Sequence, residues 1–206
     1  MIISHSRQFI FFAIPKTATH AVREALRQGV TTDDWEQQIL FDKQSIPIPE
    51  IKKIEHGHIS AKQIQPVLSI EQWQDYKKIA FVRHPFDRFV SACAFLNRAN
   101  ADFQKEPIQW MKSALQRSQF KQRLLIQPQS ELLINECGDL VTDFIGRYET
   151  LQQSVDQLLL ELGLPKYALA QRNRSFHRHY SEYLDDELSS KLQDLYRRDF
   201  ELLGYS

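Results

Sequence analysis

The chain has 206 residues, 42% hydrophobic and 25% charged, and its 26 Lys and Arg balance 26 Asp and Glu. That length buries the core of a single domain, while zero net charge excludes a grip on nucleic acid through overall positive charge. No apolar run approaches the roughly 20 residues of a membrane span, and Cys93 and Cys137 are too few for a disulfide framework and lack metal-ligand spacing.

In chain order, MIISHSRQFIFFAIPK has a short apolar run leading into Pro15 and Lys16 with no small-residue cleavage pattern. The expectation is a reduced, cytoplasmic protein with no secretory signal and two structural thiols. Residues 9–14 are apolar and β-favouring, and 18–27 carry Ala21, Val22, Ala25 and Leu26 on one helical face, which predicts strand, turn and helix. Gly29 suits a helix stop, and 30–49, with Pro47 and polar clusters, reads as mostly irregular. A second strand is predicted over 51–55 and a short helix capped by Ser60 over 60–68, with a further turn opened by Ser69, Glu71 and Gln72. The run 78–82 is a buried strand ending at Arg83. Pro85 then starts a helix to about Asn97, since its missing N–H would be unpaired there anyway. On that helix Asp87 and Arg88 are expected to pair or cap at the surface. Pro107 opens another helix in the same way. Past Pro128, 131–135 and 140–145 are short apolar runs around Gly138 and Asp139, a hairpin or a strand pair. Leu151, Val155, Leu158, Leu159 and Leu162 mark an amphipathic helix over 149–162, closed by Gly163 and Pro165. The last helix spans 185–203 with acids in its first turn. Strands alternating with helices predict one three-layer α/β/α domain over 1–206, around a central parallel sheet.

Charge is uneven along the chain. Residues 103–130 hold five basic residues and one acid, and 166–180 hold Lys166, Arg172, Arg174 and Arg178 with no acid. Either segment is an anion-facing surface or a solvated face.

The segment FIFFAIPKTATHAVREAL places Lys16, Thr17 and Thr19 where a strand hands over to a helix. Helix N-terminal N–H groups point outward with partial positive charge and Lys16 adds a full one, which suits a phosphate or sulfate group. A capped helix with an exposed lysine is the other reading of this motif alone. A Walker-type loop needs GxxxxGK[ST], and the absence of any glycine in this turn speaks against a nucleotide triphosphatase or a nucleoside kinase. The second strand–turn–helix, KKIAFVRHPFDRFVSACAF, puts Arg83 at a strand's carboxyl end, where α/β sheets bind ligands, with Ser91 two turns along the helix.

Together these motifs resemble the sulfotransferases that use 3′-phosphoadenosine 5′-phosphosulfate (PAPS), in particular the carbohydrate branch known as sulfotransferase family 2. The resemblance continues in order through HGHISAKQI, IQPQSELL, DFIGRYETL and YLDDELSSKLQDLYRRDFELLGY. It implies the sulfotransferase fold, related to that of P-loop NTPases, and transfer of a sulfuryl group to an acceptor hydroxyl, with a carbohydrate favoured. By the resemblance Lys16, Thr17, Ala18 and Thr19 hold the 5′-phosphosulfate, and Arg83 and Ser91 hold the 3′-phosphate. The late basic stretch adds Arg172, Arg174 and Ser175 as weaker candidates. The family's first loop commonly continues with further Thr or Ser, whereas His20 and Ala21 stand here, so His20 either replaces a lost donor or marks weaker binding.

Lys16 is then placed to stabilise charge on the leaving nucleotide. His56 and His58 are the candidate general bases, because imidazole titrates near neutral pH, and His58 is preferred from the family's histidine before the SAK-like stretch. Glu55 is the runner-up. His-X-His is also half of a zinc site, but zinc needs three or four ligands and none is called for. A non-catalytic module that binds 3′-phosphoadenosine nucleotides is the alternative function, favoured by the altered loop. For the acceptor, Lys105, Lys112, Arg117, Lys121 and Arg123 with Trp110 or Phe120 either line a groove for an acidic glycan or form a solvated helical face.

Overall fold

The computed structural model describes residues 1–38, 43–170 and 178–206. Its elements in chain order are β1 (Ile2–Ser4), β2 (Phe9–Phe12), α1 (Thr19–Leu26), β3 (Trp35–Gln38), β4 (Lys43–Gln44), α2 (Pro49–Lys52), α3 (Ala61–Ile64), α4 (Ile70–Asp75) and β5 (Lys77–Val82). There follow α5 (Pro85–Leu96), α6 (Ala101–Lys105), α7 (Pro107–Leu115), α8 (Ser118–Lys121), β6 (Phe144–Arg147), α9 (Leu151–Glu161), α10 (Asp186–Leu195) and α11 (Arg197–Leu203). The chain divides into two compact units: Met1–Val82 with Glu131–Ala170, and Arg83–Ser130 with the described residues from 178 onward.

The first unit holds a six-stranded sheet in the order β4-β3-β1-β2-β5-β6. The α/β class is as expected, with the parallel pairing confined to β2, β5 and β6, in the register Phe11↔Ile79 and Ala80↔Ile145. Strands β1, β3 and β4 extend that core antiparallel. The parallel strands read FIFF and KKIAFV, nearly continuous apolar runs, because both faces are covered. On one face Phe9, Phe11, Ile79, Phe81 and Phe144 pack with Val22, Ala25 and Leu26 of α1 and Val155, Leu158 and Leu159 of α9. The alternate residues Ile10, Phe12, Ala80 and Val82 are fully buried as well. Each of the Ile, Leu, Val and Phe side chains among them contributes roughly 1.5–3 kcal/mol, so truncating Phe81 to alanine would cost about 3–5 kcal/mol. Gly163, at φ 64°, closes α9 as predicted.

Several expectations are corrected. Residues 51–55 form no strand: Pro49 occupies the first position of α2, and its fixed φ sets up a helical turn instead. The "irregular" stretch contains β3 and β4, because the polar Glu36, Gln37 and Gln38 are buried and hydrogen-bonded. Around Gly138, at φ 88°, a single antiparallel bridge joins Ile134 to Leu140, and β6 pairs in parallel with β5. As expected, Ser60 caps α3 and Ser69 opens α4, each in a capping box, with Gln63 and Gln72.

The second unit is helical. Phe89, Val90 and Cys93 of α5 pack with Met111, Ala114 and Leu115 of α7, Leu188 and Leu192 of α10, Tyr196 and Phe200. Helices α10 and α11 break at Tyr196, whose hydroxyl donates to the Ile126 carbonyl at 2.6 Å. Arg88 is corrected from surface to core. Fully buried, it donates to the carbonyls of Leu125 (3.1 Å) and Gln127 and lies 5.6 Å from the Tyr196 ring centre. Cys93 is buried, and burial pushes its thiol pKa up, whereas Cys137 is exposed and so is not a core thiol.

Candidate functional site

Strand β2 ends at Phe12, α1 begins at Thr19, and residues 13–18 turn between them. Within this glycine-free turn Lys16 (φ 69°) and Ala18 (φ 60°) are left-handed. Such a conformation costs a non-glycine residue about 1–2 kcal/mol, and sequences retain it chiefly where a site needs the backbone aimed. Alternating left-handed residues build anion-binding concavities from successive N–H groups. The N-cap of α1, Ala18, is left-handed and its methyl side chain makes no cap hydrogen bond to the first turn. Thr17 is fully buried and its hydroxyl donates to the Ile14 carbonyl at 2.9 Å, so its one proton staples the turn. Lys16, Ala18 and Thr19 are partly exposed.

His58 joins this turn. Its Nδ1 lies 2.6 Å from the Ala13 carbonyl, and since a carbonyl only accepts, Nδ1 carries the proton and the Nε2 lone pair is the basic position. Burial lowers the ring pKa to about 4, against the opposing effect of the Ala13 bond, so His58 is neutral at pH 7. Three anchors fix the loop that carries it. Gln37 of β3 donates to the carbonyls of Ile51 (3.1 Å), Ile54 (2.7 Å) and His56 (3.1 Å). Arg23 of α1, buried and paired with Glu36 at 2.9 Å, reaches the Gly57 carbonyl at 3.4 Å. Gly57 passes so close to β3 that a Cβ would stand 2.2 Å from the Gln37 carbonyl oxygen. His56 accepts from the His58 amide at 3.3 Å, and Glu55 is exposed.

His20, in the first turn of α1, is aimed by β3. Arg27 donates to Oε1 of Gln38 at 2.7 Å, which leaves the Gln38 amide NH₂ as the group 3.0 Å from His20 Nδ1. Nδ1 of His20 therefore accepts, and its proton sits on Nε2. Partial burial, together with Arg23, Arg27 and Lys16, lowers the His20 pKa against the pull of Glu24, which favours this neutral donor form.

The second motif lies in the other unit. Arg83 directly follows β5, is 4% exposed and donates through Nε to Asp87 at 2.7 Å, one helical turn on. Asp87 thus pairs with Arg83 rather than with Arg88. Ser91 is buried on α5. His84 caps α5, accepting from the Phe86 amide at 3.3 Å, and stacks on Tyr180 at 4.9 Å. Arg172, Arg174 and Ser175 lie outside the described residues.

Two features of the site were not recognisable from residue pattern: the Gln38 contact that orients His20, and a side-chain clamp by Gln129 on the Arg83 backbone. Both are single glutamines in polar sequence. In the basic segment 103–130, Lys112 pairs with Asp185 and Glu187, each at 2.6 Å. Arg117 lies over Trp110 (5.7 Å) and Phe120 (6.0 Å). Among the described residues no three His, Cys, Asp or Glu side chains are grouped to hold a metal, and no helix is long and apolar enough to cross a membrane.

No curated protein and no solved structure matches the chain. The sequence model described as "Sulfotransferase family" matches residues 1–206, its whole length. The chain therefore belongs to the sulfotransferase family, and it is a transferase.

Proposed function

We propose that this protein transfers a sulfuryl group from PAPS to an acceptor hydroxyl, and that the acceptor is a carbohydrate. The observation that carries the reading is the turn at 13–18, where left-handed Lys16 and Ala18 precede an uncapped helix and His58 is bonded to the turn's first residue. These residues fit the donor chemistry. The amides from Thr17 onward and the Lys16 ammonium suit the 5′-phosphosulfate, and His20 Nε2–H supplies a donor in place of the hydroxyls the loop lacks. Arg83 and Ser91 take the 3′-phosphate, and all 206 residues serve as one sulfotransferase domain. Arg172, Arg174 and Ser175 stay as weaker partners of the nucleotide.

In the reaction an S–O bond to the acceptor forms as the S–O bond to the bridging oxygen breaks, giving a sulfate ester and adenosine 3′,5′-bisphosphate. Lys16 balances the charge gathering on the bridging oxygen. His58 Nε2 takes the acceptor's proton, while Nδ1–H stays on the Ala13 carbonyl and fixes the ring. A pKa of about 4 keeps the base unprotonated, and an adjacent anion would raise it toward a more effective value. The left-handed Lys16 and the His58 tautomer favour catalysis over a module that only binds the nucleotide.

The test is a transfer assay with sulfuryl-labelled PAPS over glycans, lipids and phenols, beside calorimetry with adenosine 3′,5′-bisphosphate. Labelled glycan supports the reading. Bisphosphate binding without transfer to any acceptor favours the non-catalytic module, and no binding removes both.

A further inference from the structure

Arg83 leaves the sheet just past the last pair of the β5–β6 ladder. The last ladder contacts are Val82↔Arg147 and the Tyr148 amide on the Val82 carbonyl at 2.8 Å. The next N–H and C=O, those of Arg83, are both met by one side chain. Gln129 accepts from the Arg83 N–H at 2.9 Å and donates to the Arg83 C=O at 2.8 Å, as a neighbouring peptide group would. Gln129 is fully buried and is itself held by Asp199 of α11. That carboxylate, also fully buried, accepts from the Gln129 amide (2.9 Å), the Ser130 amide (2.8 Å) and the Ser130 hydroxyl (2.7 Å).

Satisfying two buried backbone groups needs no more than this, but the clamp has a directional consequence. Holding both N–H and C=O of one residue fixes its φ and ψ, and with them the Cα–Cβ direction. A tilt of about 10° there swings an arginine's guanidinium by about 1 Å, an error large enough to spoil a positioned charge. The far end of Arg83 is held too, by Asp87 on Nε at 2.7 Å. An arginine 4% exposed and fixed at both ends meets any ligand with less side-chain entropy to lose than a long side chain left to find it.

We infer that Gln129, locked by Asp199, is a positioning residue that aims Arg83 at the 3′-phosphate. The inference rests on the assignment of the 3′-phosphate to Arg83 under Proposed function and adds residues which that assignment does not contain.

Calorimetry on the full chain tests it with two ligands, adenosine 3′,5′-bisphosphate and adenosine 5′-monophosphate, which lacks the 3′-phosphate. Wild type should prefer the bisphosphate by about tenfold or more, as expected for a charge-assisted arginine–phosphate contact. Gln129→Met should cut that preference at least about fivefold while its affinity for the monophosphate stays within about twofold of wild type. A merely structural glutamine predicts otherwise: both affinities fall together, or the preference survives, and either result overturns the inference. If Gln129→Met does not fold, Gln129→Glu keeps the acceptor for the Arg83 N–H and loses the donor to its carbonyl, and its preference must also fall. Arg83→Ala separates the two levels. A wild-type preference that Arg83→Ala leaves intact refutes the 3′-phosphate assignment, whereas loss in Arg83→Ala but not in the Gln129 variants refutes only the positioning role.

Discussion

Replacing Gly57 by alanine tests how the His58 loop is seated. The added Cβ would lie 2.2 Å from the Gln37 carbonyl oxygen, 3.1 Å from its carbon and 3.0 Å from Arg23 Nη2. The first two atoms are backbone of β3, and that oxygen already accepts from Arg23 at 3.2 Å, so it cannot retreat. The loop must move instead. Overpacking of this kind costs about 1–3 kcal/mol, and weakening the bonds from Gln37 to His56 and from Arg23 to Gly57 adds about 1 kcal/mol. The sum, about 2–4 kcal/mol, lowers Tm by roughly 5–15 °C in a chain of this size. Gly29→Ala is the control, because its Cβ meets only the tip of Leu164 at 2.6 Å, and a side-chain tip can turn away. Thermal melts of the two variants give the stability, and an NMR titration of the histidine rings gives the local effect. The His58 pKa should rise from about 4 toward the ordinary 6.5 as the ring leaves its buried seat. A Gly57→Ala protein that melts within about 1 °C of wild type with His58 unchanged would refute this seating.

The pH dependence of stability follows from the lowered histidine pKa. Between about pH 6.5 and 4 the unfolded His58 binds a proton that the folded ring refuses, so stability falls as pH drops through that window and is full above it. The contribution reaches at most about 3 kcal/mol, with His20 and His56 acting in the same direction. Urea unfolding at pH 4.5 and 7.5 should show a smaller difference for His58→Gln than for wild type, and equal differences would contradict the assignment. Arg88→Met should cost about 2–5 kcal/mol, since it leaves the Leu125 and Gln127 carbonyls without their buried donor; a urea midpoint near wild type would count against that arrangement. Lys77→Ala, which removes a largely solvent-reachable ion pair with Glu161, should change the unfolding free energy from the same urea titration by less than about 1 kcal/mol.

What could be read from sequence divides along physical lines. FIFF and KKIAFV announce buried parallel strands through apolar runs, and Pro85, Pro107, Ser60 and Ser69 mark helix starts through chemistry that acts over three or four residues. Strand β3, WEQQ, carries no such signal. It is buried only because Arg23 and Arg27 bind Glu36, and because Gln37 and Gln38 find partners in α1, α2 and the histidine loop. Burial works against the ionised form of Glu36, yet the two arginines hold its carboxyl pKa below the usual range. Arg88 misleads for the same reason: its charge is met by carbonyls 37 and 39 residues away. Strand–turn–helix junctions single out Lys16 and Arg83 from local pattern, and the family resemblance singles out His58. The tautomers of His58 and His20 and the clamp of Gln129 on Arg83 depend on partners far along the chain.

If the Lys16 turn supports sulfuryl transfer, turnover of labelled PAPS must separate wild type from Lys16→Ala. Wild type should label an acceptor hydroxyl and release adenosine 3′,5′-bisphosphate in equal amount. Lys16→Ala should keep the fold and lose about 10²–10³ in turnover, the scale on which removing one preplaced charge-stabilising group acts. Lys16→Ala turning over at the wild-type rate would show that the Lys16 ammonium takes no part in the transfer.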